Sequence, residues 1–296
     1  MKTISLTDLK SRTIKLLDVR LKSDFDRAHL PNALNNCVFE VAFLDRMGEL
    51  VPDANEPVCV YGSDESSHES RMAAEKLHRA GYTNVHDYRG GLAEWETAGN
   101  ELTTSTTAVD ETSGVAAVDG ERSIDTAASL IEWTGRNLGN KHWGTLKFKN
   151  GSVQLKEGSL VGGRLVIDMN SITDLNLEDG QLRRVLEDHL KSDDFFDVAR
   201  YPEAVVELVD IAPITVTTTG LPNQSVAANL TMKGITDTLS FHATEHVAAE
   251  GRWIAQANFD FDRTKWNVIY GSGRFFRNLG MHLVNDLISL QLKIVA

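Results

Sequence analysis

The chain has 296 residues, 24% of them charged and 42% hydrophobic, with a net charge of −12; that length suffices for two domains that each bury a core. The acidic balance argues against a nucleic-acid partner, which needs clustered Lys and Arg against phosphate. No apolar run approaches the ~20 residues of a membrane-spanning helix. The opening Met1-Lys-Thr-Ile-Ser-Leu-Thr-Asp8 lacks the apolar core of a secretory signal, so a cytoplasmic location is expected.

In chain order, Lys15-Leu-Leu-Asp-Val19 reads as a buried strand, and Val58-Cys-Val-Tyr61 as a second. A helix follows from about Ser70, with Ala73, Ala74, Leu77 and Ala80 on one face and Gly81 ending it. Val85 to Tyr88 is a further strand. Strands that alternate with helices predict an α/β domain on a parallel sheet over residues 1–102. The two cysteines, Cys37 and Cys59, form no CxxC and no zinc spacing. Cys59 lies in an apolar run and is expected as a buried free thiol.

Residues 103–120 have few bulky apolar side chains and no periodicity, so they are expected to form a polar linker. Beyond it, over 121–296, the pattern turns to period two. Asn150-Gly151 predicts a hairpin between strands containing Leu146-Lys-Phe148 and Ser152-Val-Gln-Leu155. One helical stripe interrupts this half: Leu182, Val185, Leu186, His189 and Leu190, expected to pack over a barrel end as a lid. In the last run, Ile288, Leu290, Leu292 and Ile294 share one face. Many strands with one helix predict an antiparallel sandwich or closed barrel.

Leu17-Asp-Val-Arg20, Asp24-Phe25, His29-Leu-Pro-Asn-Ala33, Ala80-Gly-Tyr-Thr-Asn-Val85 and Tyr88-Arg-Gly-Gly-Leu-Ala-Glu-Trp95 together resemble the rhodanese family. Members carry sulfane sulfur on a cysteine in the loop after the central strand. The resemblance puts that position at Gly62, and a second loop position that is cysteine in some members at Ser67. Sulfur transfer needs a thiolate, which neither residue supplies. Asp64, Glu65 and Glu69 would repel an anionic donor, with only Arg71 to offset them. Ser67 and His68 are expected as loop and capping residues rather than nucleophile and base. The resemblance also implies that Asp18 and Arg20 bond the loop backbone. The domain is therefore expected to be a non-catalytic interaction module with a protein partner at its loop.

Ser129-Leu-Ile-Glu-Trp-Thr-Gly135, His142-Trp-Gly144, His189-Leu-Lys-Ser-Asp-Asp-Phe-Phe-Asp197, Leu230-Thr-Met-Lys-Gly-Ile-Thr236 and Asp262-Arg-Thr-Lys-Trp266 resemble the YceI-like family, and Tyr270-Gly-Ser-Gly273 and Asn278-Leu-Gly280 extend the likeness. Members are lipocalin-like eight-stranded antiparallel barrels that hold a polyisoprenoid or other long lipid. Gly280-Met-His282 departs from the pattern, in which an acid usually follows the glycine. Trp133, Trp143, Phe195, Phe196, Trp266, Tyr270, Phe275 and Phe276 are candidates for the lumen wall or mouth; period two leaves ordinary core as the alternative. His142 and His189 are candidates for a polar head of the ligand or for turn caps. With His282 they lack metal-ligand spacing, so no metal is expected. Asp262 and Arg263 read as an internal ion pair or a head-group contact.

The leading expectation is a carrier: a barrel holding a polyisoprenoid, quinone or acyl lipid, with no other cofactor, joined to an inactive rhodanese-like module. The alternatives are a sulfurtransferase-type enzyme using a non-cysteine loop, and a structural barrel filled by its own side chains. A homodimer is left open.

Overall fold

Four consecutive apolar residues, Val58 to Tyr61, leave a strand no face to turn to water, so the sheet around it must be covered on both sides. The computed structural model describes residues 2–104, 118–215, 218–248 and 251–296. Two units divide the chain, Met1–Ser113 and Gly114–Ala296.

In the first unit the strands are β1 (Lys2–Thr3), β2 (Lys15–Asp18), β3 (Leu34–Asn35), β4 (Val58–Tyr61) and β5 (Val85–Tyr88). They form one sheet in the order β1-β5-β4-β2-β3, with every pairing parallel. The helices are α1 (Leu6–Lys10), α2 (Lys22–Arg27), α3 (Phe43–Leu50), α4 (Glu69–Arg79) and α5 (Gly91–Thr97). All four residues of β4 are buried. Val58 and Val60 join a core with Leu17, Phe43 and Leu77, while Cys59 and Tyr61 join another with Leu30 and Tyr88. Ala73, Ala74 and Leu77 are the buried side of α4, as the spacing predicts. Ala80 does not share that face: it is the C-cap, exposed, and Gly81 then turns the chain at φ 95°.

The predicted linker is shorter than residues 103–120. Thr103 pairs with His29 through two backbone hydrogen bonds of 2.9 Å, and Val118 is buried in the core of the second unit. The middle of the predicted segment, 105–117, lies outside the described residues.

The second unit contains β6 (Gly120–Ser123), β7 (Leu130–Arg136), β8 (Lys141–Lys156), β9 (Ser159–Asp174), α6 (Gly180–Lys191), β10 (Glu203–Pro213), β11 (Gln224–Met232), β12 (Ile235–Val247), β13 (Trp253–Asp262) and β14 (Leu287–Val295). Antiparallel pairing runs β6-β8-β7-β14-β13-β12-β11-β10-β9, and the further pairing of β8 with β9 closes an eight-stranded barrel from β7 to β14. Closure leaves no free edge in that ring.

Asn150-Gly151 is not a hairpin turn. Both residues lie inside the 16-residue β8, where the register with β9 shifts between Phe148 and Asn150. A Cβ on Gly151 would sit 2.9 Å from the Arg164 carbonyl, so the glycine serves close strand approach. The chain turns instead at Glu157-Gly158 (φ 54° and 78°), between the pair Lys156 and Ser159. Two left-handed residues in a two-residue loop match the right-handed twist of a hairpin. Lys233-Gly234 makes the same turn between β11 and β12.

The two ends of the barrel differ. At one, Glu245 is buried and accepts from Trp253 Nε1 (2.9 Å), Gln224 Nε2 (2.6 Å) and Leu160 N (3.0 Å), so its charge is hydrogen-bonded on both oxygens. Around the other end lie the β7–β8 turn, α6 after β9, and the long β13–β14 connection.

Candidate functional site: the barrel lumen and the loop after β4

Alternation sends one side of each strand into the barrel. On β7 these residues are Ile131, Trp133 and Gly135; on β13 they are Ala255, Ala257, Phe259 and Phe261. With the facing residues of the other strands they surround a cavity of about 230 Å³. Barrels of this strand number either fill with side chains or hold one slender ligand, and this one retains a cavity. Nearly all of its wall is hydrocarbon. At the α6 end the wall is completed by Asn137, His142, Leu186 and Leu190, all of them only half-buried, so the cavity reaches the surface there.

Of the candidate residues, Trp133, His142, Phe195 and Phe196 line the cavity. The Trp133 ring is buried, and its Nε1 has no hydrogen-bond partner among the described residues. His142 stands at the mouth, with Nδ1 3.3 Å from Asn176 Oδ1 and 3.7 Å from Asp174 Oδ2. Asp174 is buried and ties the following turn by accepting from Asn176 N (3.1 Å) and Leu177 N (2.8 Å).

The other candidates lie elsewhere. Trp266 is fully buried outside the lining and donates from Nε1 to the Leu230 carbonyl at 2.8 Å, which makes it core. His189 and Tyr270 also lie off the lining. Their rings meet edge-on at 4.8 Å, and His189 faces Phe195 at 5.0 Å, bracing the wall from behind. Trp143, Phe275 and Phe276 are exposed, because their strand phase or loop position turns them outward. The α6 stripe is split: Leu186 and Leu190 line the cavity, while Leu182 and Val185 face solvent. Among the described residues no three His, Cys, Asp or Glu side chains converge as metal ligands.

Asp262 and Arg263 do not pair with each other. The buried Arg263 guanidinium lines the cavity and donates to the carbonyls of Asn285 (3.0 Å), Val284 (3.0 Å) and Val268. Asp286 lies 3.8 Å away. Burial lowers the Arg263 pKa, with Asp286 and Asp262 opposing, but a guanidinium stays charged at neutral pH. Asp262 instead accepts from Thr264 Oγ1 (2.6 Å) and Thr264 N (2.9 Å), and pairs with Arg274 at 3.0 Å. The sequence offered Arg263 as half of an ion pair with Asp262 or as a head-group contact; the pair is absent and the residue stands on the lumen wall. The available signal was phase, since 263 continues the inward series 255, 257, 259, 261.

In the first unit, Gly62 follows β4 directly. Glu69, the first residue of α4, turns its carboxylate back onto this loop and accepts from Ser63 N at 2.7 Å. A Cβ on Gly62 would meet Glu69 Oε2 at 2.4 Å and Glu69 Cβ at 2.9 Å. Asp64 Oδ1 accepts from Ser66 N (2.8 Å), Ser67 N (3.0 Å) and the Ser66 hydroxyl (2.6 Å). Those bonds hold the Asp64 carboxyl below its ordinary pKa. The Ser67 hydroxyl accepts from Glu69 N at 3.3 Å, and the exposed Arg71 pairs with Glu75. His68, at the N-cap position, makes no side-chain cap. Asp18 and Arg20 do not bond this loop. They pair with each other at 2.6 Å, and Arg20 donates to the Ala28 carbonyl at 2.7 Å. Both cysteines are buried. Burial pushes the Cys59 thiol up to about 12, with Asp87 adding to the shift.

An antiparallel eight-stranded barrel with an apolar cavity open at one end, joined to an α/β unit on a parallel sheet, defines a two-domain protein of binding-barrel type. Over residues 123–296 the chain belongs to the YceI-like domain family, and residues 5–98 match the rhodanese-like domain. Among solved structures it is similar to BcnA of Burkholderia cenocepacia, at 22% identity over 58% of this chain and 99% of that one, TM-score 0.47. It is also similar to a polyisoprenoid binding domain from Saccharophagus degradans, at 17% identity over 58% and 95%, TM-score 0.40. The adenylyltransferase and sulfurtransferase UBA4 of Candida albicans is 38% identical over 89 residues, 27% of this chain and 19% of that protein. The chain thus spans about a fifth of the length of the curated relatives it matches. No helix among the described residues is long and apolar enough to cross a membrane.

Proposed function

We propose that the barrel is a carrier for a long-chain hydrophobic molecule, a polyisoprenoid, quinone or acyl lipid, and that the rhodanese-like unit is a non-catalytic interaction module. The observation that carries this reading is a hydrocarbon-lined cavity, closed over at the Glu245 end and reaching the surface beside His142. Burying a chain there contributes ~0.8 kcal/mol per CH2. About ten such groups give ~8 kcal/mol, a micromolar affinity before ordering costs. The unpaired Trp133 indole N–H is a donor for a carbonyl or phosphate oxygen on the cargo, and the polar edge of His142 stands at the mouth.

The reading of the first unit is supported by glycine at position 62, by the Glu69 carboxylate folded over that position, and by the burial of both thiols. A partner protein would meet the 62–71 loop, whose exposed side chains include Glu65, Ser66, His68 and Arg71.

The test is mass spectrometry of the protein purified without detergent, native and then after organic extraction. A stoichiometric long-chain lipid is expected. A protein that arrives empty and takes up no isoprenoid, quinone or acyl chain on titration would overturn the carrier and leave a structural barrel.

A further inference from the structure

A hydrocarbon cargo must cross the rim at the α6 end, and that rim is itself apolar. Phe275 and Phe276 are 51% and 44% exposed and Met281 85%. Leu138 in the β7–β8 turn, Trp143 at the start of β8, and Leu182 and Val185 on α6 are exposed around the same opening. These residues come from three separate connections that strand direction brings to one end.

The charge beside Phe275 and Phe276 is locally opposite to that of the whole chain, whose net charge is −12. Between Asp262 and Asp286 the sequence carries Arg263, Lys265, Arg274 and Arg277 and no acid; Arg263 is buried in the lumen and Lys265 pairs with Asp237 at 3.4 Å, which leaves Arg274 and Arg277 as the cations beside the two rings. Arg274 and Arg277 bracket the two exposed phenylalanines; Arg274 is held by Asp262 and Asp286, and Arg277 pairs with no carboxylate among the described residues. Lys141 stands over the Trp143 ring at 4.9 Å. The α6 sector is acidic on balance, with Glu178, Asp179, Glu187 and Asp188 against Arg183 and Arg184, so the positive sector is confined to the β13–β14 connection.

The geometry points to this rim as a docking surface for an anionic lipid bilayer, with Phe275 and Phe276 entering the acyl boundary and Arg277 facing the headgroups. Exposed aromatics flanked by arginine are the composition of an interfacial anchor, and basic residues are drawn to anionic leaflets. Docking would let cargo pass from hydrocarbon to hydrocarbon. The inference rests on the carrier reading for its purpose but not for its test.

The experiment is co-sedimentation of the full chain with phosphatidylcholine vesicles, with and without phosphatidylglycerol, at low and at raised salt. Wild type is expected to bind the phosphatidylglycerol vesicles more strongly, and less so as salt rises. Phe275→Ser with Phe276→Ser should lower partitioning at least about tenfold, since both side chains leave the apolar boundary. Arg277→Glu should erase the preference for anionic vesicles. Both variants change exposed positions, and an unchanged melting temperature confirms the fold. Wild type that binds neither vesicle, or a double-serine variant that binds as well as wild type, overturns the proposal. So does a concentration-dependent dimer in sedimentation that the double-serine variant abolishes, because the rim would then be a self-interface. Lipid on the purified protein without vesicle binding removes the docking surface and keeps the carrier; vesicle binding by an empty protein does the reverse.

Discussion

The Glu69 carboxylate accepts the Ser63 backbone N–H at 2.7 Å and lies where a side chain on Gly62 would begin. An internal carboxylate therefore occupies the turn in which the rhodanese resemblance places a sulfur carrier. Restoring a thiol at 62 should be possible, because Gly62 does not use the left-handed backbone region, but the new Cβ must displace Glu69. Gly62→Cys is expected to fold with a loss of about 1–3 kcal/mol, the cost of overpacking. With Glu69→Ala added, the thiol should react at least about tenfold faster with a disulfide reagent, since an adjacent carboxylate holds a thiol in its less reactive protonated form. Wild type supplies the baseline: Cys37 and Cys59 are buried and should stay unmodified at pH 8 until the chain is denatured. Equal rates for the single and double variants would remove Glu69 from this role.

Gly144 allows β8 and β9 to approach. A Cβ there would fall 1.7 Å from the Thr173 carbonyl oxygen and 2.9 Å from the Trp133 ring. Neither neighbour yields easily, one being backbone and the other the lumen wall. Gly144→Ala is expected to cost about 3 kcal/mol or more, at the upper end of overpacking effects. Urea unfolding monitored by tryptophan fluorescence measures this directly, and a loss under about 0.5 kcal/mol, the scale of a neutral surface change, would mean the strands separate without strain.

The cavity can be filled from within. Ala257 lines it from β13, opposite Ala243 on β12 and Leu292 on β14. Ala257→Trp should fold, because the ring has empty space to enter, and should lower the amount of co-purifying or titrated lipid at least about tenfold by volume exclusion. If lipid content is unchanged by Ala257→Trp, the cargo does not lie in the lumen.

Much of this architecture was legible, and the failures have physical causes. The run Val58 to Tyr61 announced a central strand because no face was left for water, and the alternation of Ile288 to Ile294 announced a one-sided strand. Asn150-Gly151 misled because local turn preference yields to a long ladder, and the crossing with β9 needs the glycine for another reason. Trp133 and Trp143 illustrate the limit of period two: it separates two faces without naming the inner one, and the two tryptophans fall on opposite faces. Leu182 and Val185 have helical core spacing yet stay exposed, since only the Leu186 and Leu190 side of α6 turns into the cavity.

Acid should loosen the mouth through Asp262. Burial works against its charge, but the bonds from Thr264 and Arg274 prevail and hold the carboxyl below its ordinary 3.8. A group with a depressed folded-state pKa contributes stability above its unfolded pKa and loses it as pH falls through the folded value. Asp262→Asn keeps an acceptor for Thr264 but loses the charge that pairs with Arg274, so it should be less stable than wild type by about 0.2–1 kcal/mol near pH 7, the scale of a partly exposed ion pair. The difference should shrink below pH 3.8 and vanish once the wild-type carboxyl is protonated. Thermal melts of both proteins from pH 2 to 7 check the sign; a gap that widens in acid would contradict it.

Strand β14 lies between β13 and β7, and the Val295 N–H donates to the Ser129 hydroxyl across 166 residues of chain. On a ribosome, β7 through β13 would emerge with their apolar inner faces unsealed until the last strand clears the exit tunnel. Pairings of such long separation form late and slowly. The interior of this barrel thus closes only once β14 has been made, so a hydrophobic guest would enter a closed container rather than be wrapped during its assembly.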